Sequence, residues 1–509
     1  MSSFRRSVLF STSLFLLCAA ASGCATNNAG GGDEASGGAG GRSRPPNSSS
    51  SGGAGMTPPK PDTDQPAGSG GMTTTPANPN PADAGAGHPD ATDDAAPAPP
   101  TDAGSKPIPT TDTAPVVSPM PPPASPACGS GASRLGPPTA AELKIISDKL
   151  KAAPYVPAGT NHGNNFAYGT AAKNLIQLRT MWNLTGDRWF LDQSIAFADH
   201  MLANRNDPMT GRVLWTGKRE PCWPNNDETA PDAGTCGLET GAVANQLLET
   251  AKLLFADKDG ADKMVGVGDP NHYGATYGAR ARTYLMESIR SMEYLLTHYI
   301  DPMQQNRIHT PSDPAYQALG PNYAKAAGRA VPWNQQEMIV TPLINMNTIL
   351  KSLGEDAARV TANDVIVKAA LDWFVMTLTE NRYEVRGVPV FKWGYNPNDL
   401  KHIEDLAHAS GDINMLYHGW EAGKYGVDRA ILVGMANIFF ELIAKPDGTY
   451  AARVDGVGMR AVVSNSWLKY DQFRSGIIAR LQPKLTVDDA TTVPDGIAAL
   501  STRRQFCGK

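Results

Sequence analysis

No stretch of this 509-residue sequence holds the roughly 20 consecutive apolar residues that a membrane-spanning helix needs. Strand-like alternation is scarce as well. Histidines number nine and none opens an HExxH pentad; the paired CxxC motifs of a zinc ribbon are missing as well. Charge of one sign is also lacking where it would matter. The total is −5, residues 1–24 carry +2 and residues 25–130 carry ten acids against four bases, so residues 131–509 keep a balance of −5 − 2 + 6 = −1. A region so close to neutral does not offer the basic surface that nucleic acid requires.

What is present begins with the leader. "MSSFRRSVLFSTSLFLLCAAASGC" runs from Arg5 and Arg6 through a short apolar core to small residues before Cys24. That order is a secretory signal, and its ending resembles a lipobox, which implies a lipoprotein signal over residues 1–24 with lipidation of Cys24. The expected location is the bacterial cell envelope, anchored by lipid to the outer membrane, or outside the cell. Residues 25–130 are rich in Gly, Ser, Pro and Asp, with too few large apolar side chains to offset ordering entropy, and read as a disordered tether. Residues 131–509 are long enough for one large domain or two ordinary ones, and are expected to form a single folded catalytic domain. In an exported chain, Cys222 with Cys236, and Cys128 with Cys507, are expected as disulfides.

The domain reads as helix after helix, with runs over roughly 139–153, 238–255, 277–299, 336–353, 362–379, 403–422, 428–444 and 467–480. "EVRGVPVFKW" is the best hairpin, with "GTYAARVDG" a second candidate. "LIQLRTMWNLTGDRWF" and "LINMNTILKSLGEDAARV" share one grammar: an apolar helix, a Gly-acid turn, then a second helix. Repeated helical hairpins predict an all-α fold, and the grammar resembles the (α/α) toroids of carbohydrate enzymes, with a few short β-hairpins. An open solenoid is the alternative.

Chemistry concentrates in "FKWGYNPNDLKHIEDLAHASGD", residues 391–412. With a helix over 403–422, Glu404, His408 and Asp412 would form an i, i+4, i+8 column, in which a carboxylate can fix the histidine tautomer. Three readings stay open for it: an acid/base site at His408, a metal site, and a histidine bridging within a helix. Trp393 and Tyr395, in a loop, suggest a sugar platform, or a tryptophan packed beneath the loop. His402 stands at the predicted helix start. In "GRAVPWNQQEM", Arg329, Trp333, Asn334 and Gln335 offer a guanidinium and side-chain amides for a carboxylate, with Asn334 equally readable as a helix cap. Asn161-His162 forms a further candidate pair, and Glu239 opens a helix.

The Trp-x-Tyr, the "EDxxHA" that follows and the tail "SNSWLKYDQF" together resemble toroidal uronate-specific polysaccharide lyases, the thirty-eighth lyase family of alginate and glucuronan lyases. The resemblance implies Tyr395 and His408 as the acid/base pair and Asn334 on the uronate carboxylate. It further implies metal-independent β-elimination on an anionic polysaccharide by a monomer without cofactors. Two rivals are a toroidal glycosidase using paired carboxylates, for which Glu404, Asp405, Asp412 and Glu239 are candidates, and a non-catalytic glycan-binding lipoprotein.

Overall fold

Helices begin where the sequence supplies a cap. In the computed structural model, which describes residues 135–157, 165–207, 211–224, 234–397, 399–482, 485–487 and 492–507, Thr139 opens α1 (Ala140–Ala152) with a capping box. Its hydroxyl accepts from the Glu142 amide at 3.3 Å, and the Glu142 carboxylate accepts from the Thr139 amide at 2.9 Å. The expectations for Cys24, residues 25–130, Cys128, Asn161 and His162 fall outside the described residues.

The Gly-acid turns form as their chemistry requires. A π-helical turn, Asn165–Ala171, leads into α2 (Ala172–Thr185), and Gly186 ends α2 at φ 67°. Asp187 then caps α3 (Arg188–Ala203) by accepting from the Trp189 amide at 3.1 Å. After α4 (Glu239–Ala256), α5 (Tyr277–Tyr299) and the short α6 (Pro314–Gln317) and α7 (Pro321–Ala326), the grammar repeats. Helix α8 (Trp333–Leu353) ends at Gly354 with φ 70°, and Asp356 caps α9 (Ala357–Glu380). A left-handed residue at a helix end suits glycine, which lacks the Cβ that would clash. The chain continues through α10 (Ala409–Glu421) and α11 (Arg429–Ile438) to a 3₁₀ segment, Asn465–Gln472. It closes with α12 (Ile477–Leu481) and α13 (Val493–Phe506).

Packing turns these hairpins into a ring. Helix α2 lies on α3, α4 on α5, α8 on α9 and α10 beside α11, while α2, α4, α8 and α10 also pack on one another in that order. The 3₁₀ segment adjoins α10, Leu468 packs with Phe506 of α13, and α13 returns to α2. The result is an all-α toroid with an inner and an outer layer. Two glycines set the inner spacing: a Cβ on Gly241 would lie 1.8 Å from the Met338 carbonyl oxygen, and one on Gly411 would lie 3.2 Å from Asn334. Side chains such as Trp333, Phe374, Trp393 and Trp467 fill the space between layers, each fully buried, and each contributes roughly 2–3 kcal/mol of burial.

Strands are short among the described residues. Ile300–Asp301 (β1) pairs with Arg307–Ile308 (β2), and the expected hairpin pairs Arg382–Val385 (β3) with Val388–Phe391 (β4). Arg386 and Gly387 both take positive φ, 52° and 75°, as a two-residue hairpin turn demands. The second hairpin candidate forms only isolated bridges, Tyr450 with Ala444 and with Arg460. Cys222 and Cys236 are bonded as expected, and Cys507 is in a disulfide. Among the described residues, no helix is long and apolar enough to cross a membrane.

Two boundaries depart from expectation. Helix α10 starts at Ala409, not near Ile403, because Asp405 intercepts the chain. Its carboxylate accepts from the amides of Ala407 (2.7 Å) and His408 (3.1 Å), its carbonyl accepts from Ala409, and Asp405 bridges Arg453. The run 467–480 divides into the 3₁₀ segment and α12 at Gly476, which has φ 110°.

Candidate active site

Glu239, Trp333 and Ala409 are the first residues of α4, α8 and α10. Tyr395 links two of these helix starts. Its carbonyl accepts from the Trp333 amide at 3.3 Å, and its ring centre lies 5.0 Å from that of His408. Gly411 rests against Asn334, so Tyr395, His408 and Asn334, far apart in the chain, share one mouth of the ring. Glu239 adds its charge to the field at Tyr395.

Within this group His408 is oriented. Its Nδ1 lies 2.7 Å from the Asp405 carboxylate and 3.8 Å from Glu404, which places the proton on Nδ1 and leaves Nε2 as the basic nitrogen. The Asp405 hydrogen bond raises the His408 pKa against burial, which lowers it. Burial alone would raise Asp405; the His408 contact and two backbone amides reverse that and hold it low. Tyr395 is pushed up to about 12 by burial and by the charges of Glu404, Asp412 and Asp405. At neutral pH it therefore keeps its proton. Asp405→Asn is expected to move the acid limb of kcat/KM toward lower pH, because His408 would lose the anion that favours its charged form. A pH–rate profile of the variant checks this.

Beneath the pair lies a buried carboxyl couple. Glu404 and Asp412 are both fully buried, and Trp393 donates its indole N–H to Asp412 at 2.7 Å. Burial and the neighbouring acids drive Glu404 far above the carboxylate range, and burial raises Asp412 as well. Two adjacent carboxyls that cannot both ionise hold one proton between them. Glu404, Asp405 and His408 each offer a ligand atom within 4.8 Å of the others, the set a divalent cation would use. Asp405 is committed to His408 and two amides, and one Glu404 oxygen to the Asp405 amide, while the other, Oε2, is buried without a partner.

The other expected residues sort by burial. Trp393 is fully buried, so the platform reading is corrected: the indole packs 5.9 Å from Phe374 and holds Asp412. Trp333 is buried against Trp373 and Phe374 and cannot meet a substrate. Glu404 faces Asp412 and not the opening. Asn334 lies inside α8, whose N-cap Pro332 precedes it, so it is no cap; its buried Oδ1 lacks a partner. Gln335 is half-buried beside it. His402 is exposed and bonded to Asp399 at 2.7 Å, and Arg329 is exposed on the loop before α8.

Sequence reasoning missed Arg460. Its backbone bonds Tyr450 in both directions, at 3.0 and 2.7 Å, and its guanidinium lies 3.9 Å from Asp405. Its charge also reaches His408. The sequence gives no local signal for this, since the loop from Gly448 to Ser464 is brought to the mouth only by tertiary pairing.

Helical hairpins closed into a ring, with an oriented histidine, a tyrosine and a guanidinium at the mouth, define the class of molecule: an all-α toroid. No family profile matches the sequence, and no curated protein does. Among solved structures, a family 76 glycoside hydrolase from a bovine Bacteroides thetaiotaomicron strain is 12% identical over 66% of this chain, with a TM-score of 0.33; the chain spans 55% of that structure's length. A family 88 glycosyl hydrolase from Bacteroides vulgatus is 12% identical over 72% of this chain and 98% of its own, with a TM-score of 0.34. A family 105 glycoside hydrolase from C. acetobutylicum ATCC 824 is 14% identical over 71% and 98%, with a TM-score of 0.28. All three are hydrolases, not lyases. Similarity this low decides nothing about the chemistry, which rests on the side chains.

Proposed function

We propose that this protein cleaves a uronic-acid polysaccharide by β-elimination, with no cofactor in the step. The observation that carries the reading is the Tyr395–His408 contact with Asp405 behind the histidine. In this scheme Nε2 of neutral His408 takes the proton from C5. The C–H electrons form the C4=C5 double bond, O4 departs with its electrons, and Tyr395 supplies the proton to O4. Abstraction at C5 requires that the neighbouring carboxylate be masked. In this scheme Arg460 and the Asn334 amide bind it as charge develops. A lipid anchor at Cys24 and the tether behind it would suit a polymer too large to enter a cell.

The hydrolase reading needs two carboxyls facing each other across a cleft about 5–10 Å wide. Glu404 and Asp412 do not fit it, being buried against each other; Asp405 with Glu239 is the remaining couple. The products separate the two. With the full chain, EDTA present and alginate, glucuronan, pectate and hyaluronan as substrates, elimination gives ultraviolet absorbance from the new double bond. New reducing ends without that absorbance would overturn the lyase reading in favour of hydrolysis. Neither signal on any polymer would leave a glycan-binding protein.

A further inference from the structure

Below the mouth, between three inner helices, lies a cavity of about 430 Å³ that the elimination does not use. Lys173 and Ile176 of α2, Asn245 and Gln246 of α4, and Glu337 and Thr341 of α8 all line it. The cavity continues the mouth. Glu337 and Thr341 stand three and seven positions after Asn334, and Gln246 stands seven after Glu239, so each helix turns one face to both mouth and cavity. A rise of roughly 1.5 Å per residue puts Glu337 about 4.5 Å below Asn334.

The cavity is closed on the side away from the mouth. One turn below its lining, the Arg179 guanidinium of α2 donates to the Gln246 carbonyl at 2.8 Å, to the Gln246 side chain at 2.7 Å and to Glu249 at 2.9 Å. The Asn345 amide of α8 donates to Asn245 of α4 at 2.8 Å. These bonds tie α2 to α4 and α4 to α8, and Arg179, Asn245 and Asn345 are all buried. A chain that enters this cavity from the mouth ends in it.

The walls carry opposite charges on either side of α4: Lys173, half-buried, on α2 and Glu337, 5% exposed, on α8. Thr341 is 1% exposed; its hydroxyl favours the charged form of Glu337 but closes no hydrogen bond among the described residues. A buried polar atom left in this state calls for a partner, and here the cavity is where one can stand. Ile176 and Met338 add apolar surface. A uronate ring matches this pattern, with a carboxylate at one edge, hydroxyls at another and C–H faces between.

We propose that the cavity takes the terminal uronate of a chain, with its carboxylate on Lys173 and its hydroxyls on Glu337 and Thr341, so that the enzyme works inward from chain ends. The inference deepens the reading above and rests on it for the uronate. The end-directed mode follows from the closed floor and holds for elimination and hydrolysis alike.

The test follows the full chain on each polymer named above, sizing the early products by chromatography while viscosity is recorded. Expected is one short product from the first minutes, with viscosity nearly unchanged. Lys173→Met and Glu337→Gln, shown to fold by circular dichroism and thermal midpoints, are expected to raise KM about tenfold, because each removes a contact to the bound end. Random product sizes with a steep early fall in viscosity would overturn the inference, as would folded variants that keep the wild-type KM. One short product with new reducing ends and no ultraviolet absorbance would keep the end-binding cavity and remove elimination. No product from any of the polymers would remove both.

Discussion

His408→Ala is expected to lower the rate of ultraviolet product formation by about 10³–10⁴-fold, and Tyr395→Phe by about 10²–10⁴-fold, each with the fold intact. The sizes follow from what each group supplies. His408 is oriented by a 2.7 Å contact to Asp405, so its loss removes a positioned base and not merely a nearby one. Tyr395→Phe keeps the ring that touches His408 and removes only the hydroxyl that would protonate O4. The wild-type pH dependence carries the same assignment. His408 must be neutral, so kcat/KM rises as pH passes its raised pKa; Tyr395 must be protonated, and at about 12 it imposes no basic limb near neutrality. Initial rates on one responsive polymer, with substrate varied for both variants, check this. A Tyr395→Phe enzyme that retains wild-type kcat would remove tyrosine from the proton path.

The hairpin ring was legible because its signals are local. Gly186 with Asp187, and Gly354 with Asp356, mark the same turn twice, and both form as read. The grouping of Tyr395, Asp405 and His408 was also legible, since the three stand within fourteen positions of sequence. What failed was the inference from spacing to helix. Asp405 spends its side chain on two amides, and the chain turns before α10 begins, so Glu404 reaches Asp412 from a bridged strand and not along a helical column. The same tertiary fact buries Trp393, whose indole is needed by Asp412. Arg460 gave no signal because it meets the site only through the pairing of its loop with Tyr450.

The buried couple predicts a stability profile that a surface carboxylate would not give. In the unfolded chain Glu404 titrates near its ordinary value of 4.5; in the folded protein burial and Asp412 hold its proton far above that. The folded state therefore binds more protons than the unfolded state above that value, and stability falls as pH rises. Asp412 is shifted in the same direction and adds to the slope. Glu404→Gln removes the ionisation, keeps the size and retains an acceptor for the Asp405 amide, now 2.9 Å from Glu404. It also supplies an N–H to the Asp412 oxygen that lacks a partner. Urea unfolding at about pH 5, 6.5 and 8 should show the variant close to wild type at the lowest pH and more stable by on the order of 2 kcal/mol at the highest. Glu404→Ala should be less stable at every pH, since it leaves a void and an unpaired Asp412. Parallel pH slopes for wild type and Glu404→Gln would mean that Glu404 ionises freely and that no proton is shared beneath the Tyr395–His408 pair.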